Sequence, residues 1–554
     1  MISPFYAQPN MGGVGLALTY NIAVWLVAMW IMALGLFFIA VQKQVYFTRL
    51  WGYFFLFPCI VIVNSFFADV YQPITWFFRQ LYILGGGLFL FSLFQFQARQ
   101  FVIDRILFII VIGALLQSIL GCIQIIAPEL LSLWFPPNFD HVPRGMFQQI
   151  NVQASFLVTA LIINLYTISR PAFNASSYFI KVFIVFSFAI TLYVVVASGS
   201  RIGLLSLLLA VPIMLWSRKK QLRSKKKWLV VLFFASSISL ILGQSGMFQT
   251  FDKTQQLIEH SYSDARVTMY SIGIELVEKE PIHGYGIGSF LLAWNQQASK
   301  FIKHHPDASL PEYVTHPHNE LLFWMIEGGL LALFGIIIVI AGIGRAIYLC
   351  GMQRGGAYAA MLLPISLHTQ VELPFYISSL HWFLWLFLIY LVLRHSTVRR
   401  RVNLSASARL VLQGIAMTLV FGGTYFMYNC SRAQTDLFNF LYSDNKQKPY
   451  LQIALNNLYF RPEAEKAAMQ SMLYASIETD DRDKVITFEK WANNYVKSTP
   501  ELTIYGDLIN ASKYLRPDEK GCDVMAQTMK MYAQNNILKD AFHNKCEGVI
   551  IKGK

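Results

Sequence analysis

The stretch 316–340, His316-Pro317-His318-Asn319-Glu320 followed by LLFWMIEGGLLALFGIIIVI, decides the fold class. From Leu321 to Ile340 the one ionisable side chain is Glu327. A helix of that length, at 1.5 Å per residue, crosses a hydrocarbon core of about 30 Å. The polar segment before it ends on two imidazoles and a carboxylate at the entrance to the apolar run. Such a loop-to-membrane junction suits chemistry on a charged substrate carried by a lipid.

Runs of the same kind recur through three quarters of the chain. With 554 residues, 55% of them hydrophobic, 15% aromatic and 14% charged, the chain lacks the polar surface of a water-soluble globule of this size. The expected spans are 14–41, 50–68, 75–96, 106–127, 153–169, 179–197, 202–216, 228–243, 320–343, 357–375, 379–393 and 409–428, about twelve in all. The fold class that follows is all-α, a polytopic helical bundle. The net charge of +14 needs no nucleic-acid partner. Most of the excess sits in short turns, such as 218–227 and 394–409, as the positive-inside rule expects of cytoplasmic loops. Putting those turns inside sends every remaining loop, and both termini, outside. The first apolar run is too long for a cleavable signal.

Three outer regions carry most of the polar chemistry. The first, 128–152, contains Pro136-Pro137, His141, Arg144 and Gln148-Gln149-Ile150-Asn151. The second, 244–319, is too long for a connector. It holds a predicted helix from Ala265 to Glu280, stopped by Pro281, and then the turn-rich Gly284-Tyr285-Gly286-Ile287-Gly288-Ser289. The third, 430–554, turns polar while its apolar positions take helical spacing, and it forms a separate helical domain after a membrane domain of 1–429. It resembles helical-hairpin repeats of the tetratricopeptide kind, and an irregular all-α domain fits its pattern equally well. Cys522 and Cys546 lie in this outer tail, where a disulfide is permitted; Cys59, Cys122 and Cys350 read as buried apolar thiols. Asp481-Arg482-Asp483 reads as a solvated helix face rather than a metal site.

Pro317, with Thr315 as a cap, predicts that the ninth span starts its first turn around His318. Free N–H groups and the positive end of the helix dipole there favour a phosphate or diphosphate. The same field disfavours an imidazolium, leaving a neutral base able to accept a hydroxyl proton. Capping of a helix at the interface is the plainer reading of His318, and more so of His304, His305 and His316. No ligand set of metal-site spacing accompanies them, so no metal and no cofactor is expected. Arg201, in Ser198-Gly199-Ser200-Arg201-Ile202-Gly203, breaks the topology rule by lying at an outer mouth, and Arg266 opens the loop helix. Two guanidiniums at an outer cavity would grip a diphosphate through bidentate hydrogen bonds, although a salt bridge of Arg266 with Asp264 is an equal alternative. Glu327-Gly328-Gly329 and His368-Thr369-Gln370-Val371-Glu372-Leu373-Pro374 place costly polar groups within spans. The glycines point to close packing, with Glu327 an anchor.

Taken in order, these residues resemble the bacterial O-antigen ligase and polymerase superfamily, and within it the protein O-oligosaccharyltransferases of the PglL type. The resemblance covers most of the chain. It rests on Gln149-x-Asn151-x-x-Ala154, Ser198-x-Ser200-Arg201-x-Gly203, Arg266 with Pro281-x-x-Gly284-x-Gly286-x-Gly288-x-Phe290, His316-x-His318-Asn319-Glu320 with Glu327-Gly328-Gly329, and His368-x-Gln370-x-Glu372-x-Pro374. It implies a multi-pass protein of the bacterial inner membrane whose site faces the periplasm. It also implies a glycan donor on undecaprenyl diphosphate and transfer en bloc without a metal. His318, Arg201 and Arg266 would be catalytic; Gln149, Asn151, Arg144, His316, His368 and Glu372 would line the substrate site. The acceptor would be Ser or Thr of a pilin-like protein. A ligase to lipid A core or a glycan polymerase keeps the same chemistry. A lipid-linked glycan transporter would instead want charged groups near the bilayer midplane and inverted halves.

Overall fold

A computed structural model describes residues 5–131, 140–259, 265–311, 313–443, 450–533 and 535–546. Pro136-Pro137 and Asp264, singled out above, lie outside the described residues. In the first half the main helices are α1 (Thr19–Gln42), α2 (Trp51–Asn64), α3 (Pro73–Gln95), α4 (Gln100–Ile126), α5 (Ile150–Ser169), α6 (Tyr178–Ala197), α7 (Arg201–Ser217) and α8 (Lys226–Leu242). Then follow α9 (Ala265–Lys279), α10 (Phe290–His304), α11 (Glu320–Leu349), α12 (Gly351–His368), α13 (Ser379–Leu393) and α14 (Ala406–Tyr442). The tail folds as α15 (Arg461–Glu478), α16 (Arg482–Ser498), α17 (Leu502–Leu515), α18 (Cys522–Met531) and α19 (Asn536–Cys546).

Each span expected from the sequence overlaps one of these helices, but the one expected at 357–375 runs past α12, which ends at His368, and the one at 50–68 runs past α2, which ends at Asn64. Seven of the helices, α1, α3, α4, α5, α6, α11 and α14, are long and apolar enough to cross a membrane. α8 reaches that length and apolarity only together with the helical segment Gln244–Asp252, which is bent from it by 58°. The protein is an all-α, multi-pass membrane protein. Among the described residues the sheet content is one antiparallel pair, β1 (Gln44–Thr48) with β2 (Thr397–Arg401), in register Gln44 to Arg401 and Thr48 to Thr397.

By packing, the chain forms two units interleaved in sequence: Met1–Pro58 with Tyr82–Gln256 and Ile336–Phe438, and Cys59–Leu81 with Leu257–Gly335 and Asn439–Lys554. The first is centred on α5. From Val152 to Ser169 only Thr167 is not buried, because α4, α6, α7 and α12 pack around the helix, enclosing Gln153, Ser155, Thr159 and Asn164 along with its apolar side chains. The polar side chain of Asn21 on α1 braces the break between α12 and α13. Its amide donates to the Ile377 carbonyl at 2.9 Å and its oxygen accepts from the Ser379 N–H at 2.8 Å.

In the second unit α9 packs on α10, α10 on α18, and each tail helix on the next. Leu473, Val485, Phe488, Ala492, Val496 and Leu508 form the core of the tail. Asn295 on α10 donates to the Tyr532 hydroxyl at 3.1 Å, so the long loop and the tail share one body. Cys522 and Cys546 form a disulfide, with Cα atoms 5.7 Å apart. Asp481 caps α16, its carboxylate accepting the Lys484 N–H at 3.2 Å. That gives the Asp481-Arg482-Asp483 stretch a structural task.

Candidate active site

In the first unit two of the quoted sequence patterns interlock. Gln149, extended at φ −141° and ψ 133°, precedes α5, and Asn151 lies in its first turn. The Asn151 Oδ1 accepts from the Ser200 hydroxyl at 2.9 Å, and Ser200 in turn caps α7 by accepting the Gly203 N–H at 3.2 Å. A Cβ on Gly203 would come within 2.8 Å of the Ala154 methyl, which explains the glycine. Arg201 is thereby fixed as the first residue of α7.

The loop before α5 is held by glutamines that the apolar α4 would otherwise have no use for. The Gln124 side-chain oxygen accepts from the backbone N–H groups of Arg144 at 2.9 Å and Gly145 at 2.7 Å, and Gln117 accepts from Met146 at 3.1 Å. The Arg144 guanidinium pairs with Asp140 on the surface.

Glu372 follows the end of α12 and is 5% exposed; its Oε2 accepts from the Gln149 amide at 3.3 Å. His368 is fully buried, its Nδ1 2.8 Å from the Ser155 hydroxyl. That hydroxyl also lies 3.2 Å from His381 Nε2. Among the described residues His368 Nε2 and His381 Nδ1 are buried without a hydrogen-bond partner. The structure thus joins Gln149 to Glu372, and His368 to Ser155 and His381. The sequence reading does not single out Ser155 or His381; for His381 the signal available was an imidazole in an otherwise apolar span.

In the second unit His318 adopts a left-handed backbone, φ 50°, rare for a non-glycine residue. The two imidazoles of His316 and His318 have ring centroids 4.3 Å apart, and His316 Nδ1 meets the Thr315 hydroxyl at 2.9 Å. The predicted helix start is corrected here. α11 begins at Glu320, and its cap is Asn319, whose Oδ1 accepts the Leu322 N–H at 2.9 Å. Thr315 is bound to a histidine instead, and Pro317 lies outside the helix. An Asn carboxamide directly before the helix reaches the N–H three residues on, which a hydroxyl four residues earlier cannot. His318 is therefore the residue before the cap. Arg266 lies in the first turn of α9, half-buried.

The glycine-rich turn and the Glu327 pattern form one knot. At Gly329 (φ 64°, ψ −167°) α11 is broken, and the freed groups are taken up by the turn. Leu330 N–H donates to the Pro281 carbonyl at 2.7 Å, while Tyr285 and Gly286 N–H groups donate to the Ile326 and Glu327 carbonyls at 2.9 and 3.0 Å. Glu327, 1% exposed, accepts from the Gly288 N–H at 2.9 Å and pairs with Arg79 at 2.5 Å. Asn64 donates to the Gly328 carbonyl at 3.1 Å and to that of His283 at 3.0 Å. The knot holds the helix that carries Glu320 and Asn319, and so orients the His316–His318 segment.

Residues 186–337, which contain Arg201, Arg266, the glycine turn and both imidazoles, match the family model for O-antigen ligase. Residues 357–545, from α12 through the helical tail, match that of the virulence factor membrane-bound polymerase, C-terminal. The chain belongs to the O-antigen ligase and polymerase superfamily. No curated protein matches it. Membership in the superfamily carries a glycosyltransferase-like activity.

Proposed function

We propose that this superfamily member is a protein O-oligosaccharyltransferase of the bacterial inner membrane, with about twelve crossings. It moves a glycan en bloc from undecaprenyl diphosphate to Ser or Thr of a pilin-like protein in the periplasm. In the reaction the acceptor hydroxyl oxygen attacks C1 of the sugar attached to the diphosphate. The C1–oxygen bond breaks, the diphosphate leaves with the electron pair, and His318 takes the hydroxyl proton. Arg201 and Arg266 carry the negative charge of the leaving group. Gln149, Asn151, Arg144, His316 and Glu372 bind substrate. His368, fully buried, acts through Ser155.

The observation that carries the protein acceptor is the disulfide-closed helical tail. A Cys522–Cys546 bridge fits a compartment outside the cytoplasm, where a helical body of this size suits docking of a protein acceptor. A second reading, glycan polymerase, is supported by the polymerase description of the model that spans the whole tail.

The test is coexpression with a lipid-linked glycan pathway and a pilin. Intact mass of the pilin is measured alongside the lipid A core and the lipid-linked glycan length. A pilin mass shift of whole glycan units, lost in His318→Ala at equal protein level, is expected. Longer glycans with an unmodified pilin would select the polymerase.

A further inference from the structure

At the far end of α5, about 30 Å from Gln149 by helix length, the first unit gathers cations that the proposed reaction does not use. Arg218, directly after α7, is 5% exposed. Its Nε donates to the Ser169 hydroxyl at 2.9 Å, and its guanidinium lies over the Tyr166 ring at 5.2 Å. Arg170 covers the same ring at 5.7 Å and takes the nearby carboxylate, Asp104, at 3.2 Å. Among the described residues Arg218 has no carboxylate within ion-pair distance. Lys225, also 5% exposed, has among the described residues the Asn174 side-chain oxygen and the Phe173 ring, and no carboxylate within ion-pair distance. Burial first, and the like charges of Arg170 and Arg354 after it, push the Arg218 pKa below its ordinary value.

Burying a cation without a counter-charge costs several kcal/mol, so a chain that keeps two of them at one end of a bundle is built to receive an anion. We propose that Arg218, with Arg170 and Arg354 adding charge, binds the phosphate of an anionic phospholipid. The lipid, rather than free phosphate, is favoured by what lies beside the cluster. Trp216, two residues before Arg218 at the end of α7, is 62% exposed with Lys219 over its ring at 4.0 Å, the pairing of aromatic and cation found at the level of lipid headgroups.

The full chain is purified in a zwitterionic detergent and its melting temperature measured with phosphatidylglycerol, phosphatidylcholine or inorganic phosphate added. Phosphatidylglycerol is expected to raise it by about 5 °C and phosphatidylcholine to leave it unchanged. The shift should vanish in Arg218→Gln, shrink in the exposed Arg354→Gln and persist in Lys220→Gln. Arg354→Gln keeps the test informative if Arg218→Gln does not fold. Equal shifts with both lipids, or an unchanged shift in both arginine variants, would overturn the site. The full shift from inorganic phosphate alone would overturn the lipid assignment.

Discussion

The Arg79 guanidinium meets the Glu327 carboxylate at 2.5 Å, joining α3 to α11 within the second unit across 248 positions of sequence. Phe323 lies under the same guanidinium at 4.9 Å, so the pair is closed off from solvent on one side. Its side chains are 12% and 1% exposed. Removing one partner strands the other, at about 3–5 kcal/mol, whereas replacing both by apolar groups of similar volume costs far less. Glu327→Ala and Arg79→Ala should each lower unfolding stability by that amount, and Arg79→Met with Glu327→Leu should recover most of it. A double-variant cycle on thermal unfolding in detergent reads this directly. Additive losses would mean that the two side chains act independently.

The break in α11 makes a second prediction. A Cβ on Gly329 would lie 2.1 Å from the Ile282 carbonyl oxygen, and the backbone there has φ +64° and ψ −167°, a region reserved in practice for glycine. A Cβ on Gly286 would lie 2.0 Å from the Asp69 carbonyl oxygen. Gly329→Ala and Gly286→Ala should lose most folded protein in size-exclusion yield. Gly344→Ala, with nothing within 4 Å of the new methyl, should be neutral or slightly stabilising.

The interlock of α5 and α7 predicts a graded effect. Ser200→Ala removes both the α7 cap and the partner of the Asn151 oxygen, and should cost about 1–2 kcal/mol. Ser200→Thr keeps the hydroxyl and should cost less than half of that. Because Arg201 is the next residue, Ser200→Ala should also depress glycan transfer more than the stability loss explains. Transfer measured at a temperature where the variant stays folded separates the two.

How much of this could be read from the sequence follows from the range of the interactions. The helices were legible because an apolar run of membrane length has one stable solution in lipid. The patterns around Gln149, Ser200, Gly284 and Glu327 were legible as polar or glycine exceptions, but not what each touches. The glycines beside Glu327 point to a packing role for it, but its partner Arg79 lies 248 positions away, beyond any local spacing rule. Proline and a nearby threonine point to a start of α11 around His318, whereas the Asn319 carboxamide directly before Glu320 sets it. His381 and Ser155 carry no periodic signature: the one is an isolated imidazole in α13, and the other is one of several small polar residues along α5.

In the tail Lys466 sits between Glu463 at 2.7 Å and Glu501 at 3.1 Å. Burial opposes its charge, but the two carboxylates outweigh burial and raise its pKa above the ordinary lysine value. A raised folded pKa means that the stabilisation is complete below the unfolded value of about 10.4 and is lost as pH climbs through the folded one. Tail stability should therefore be flat from neutral to about pH 10 in this respect and fall above it. Lys466→Gln should remove that alkaline limb while lowering stability at pH 8.

The Cys522–Cys546 bridge closes a loop with a sequence separation of 24 and ties α18 to α19. By chain entropy a loop of that size is worth about 3 kcal/mol. Alkylation mass analysis of the unfolded chain should find four modified thiols without reductant, at Cys59, Cys122, Cys350 and Cys430, and six after reduction. Reduction should lower the unfolding midpoint of the tail without changing the helix content of the apolar spans, because the bridge acts on α18 and α19 alone. If glycan transfer to a protein acceptor depends on the tail as a docking body, reduction should raise the KM for that acceptor and spare hydrolysis of the lipid-linked donor. An equal loss of both activities would remove the tail from acceptor binding.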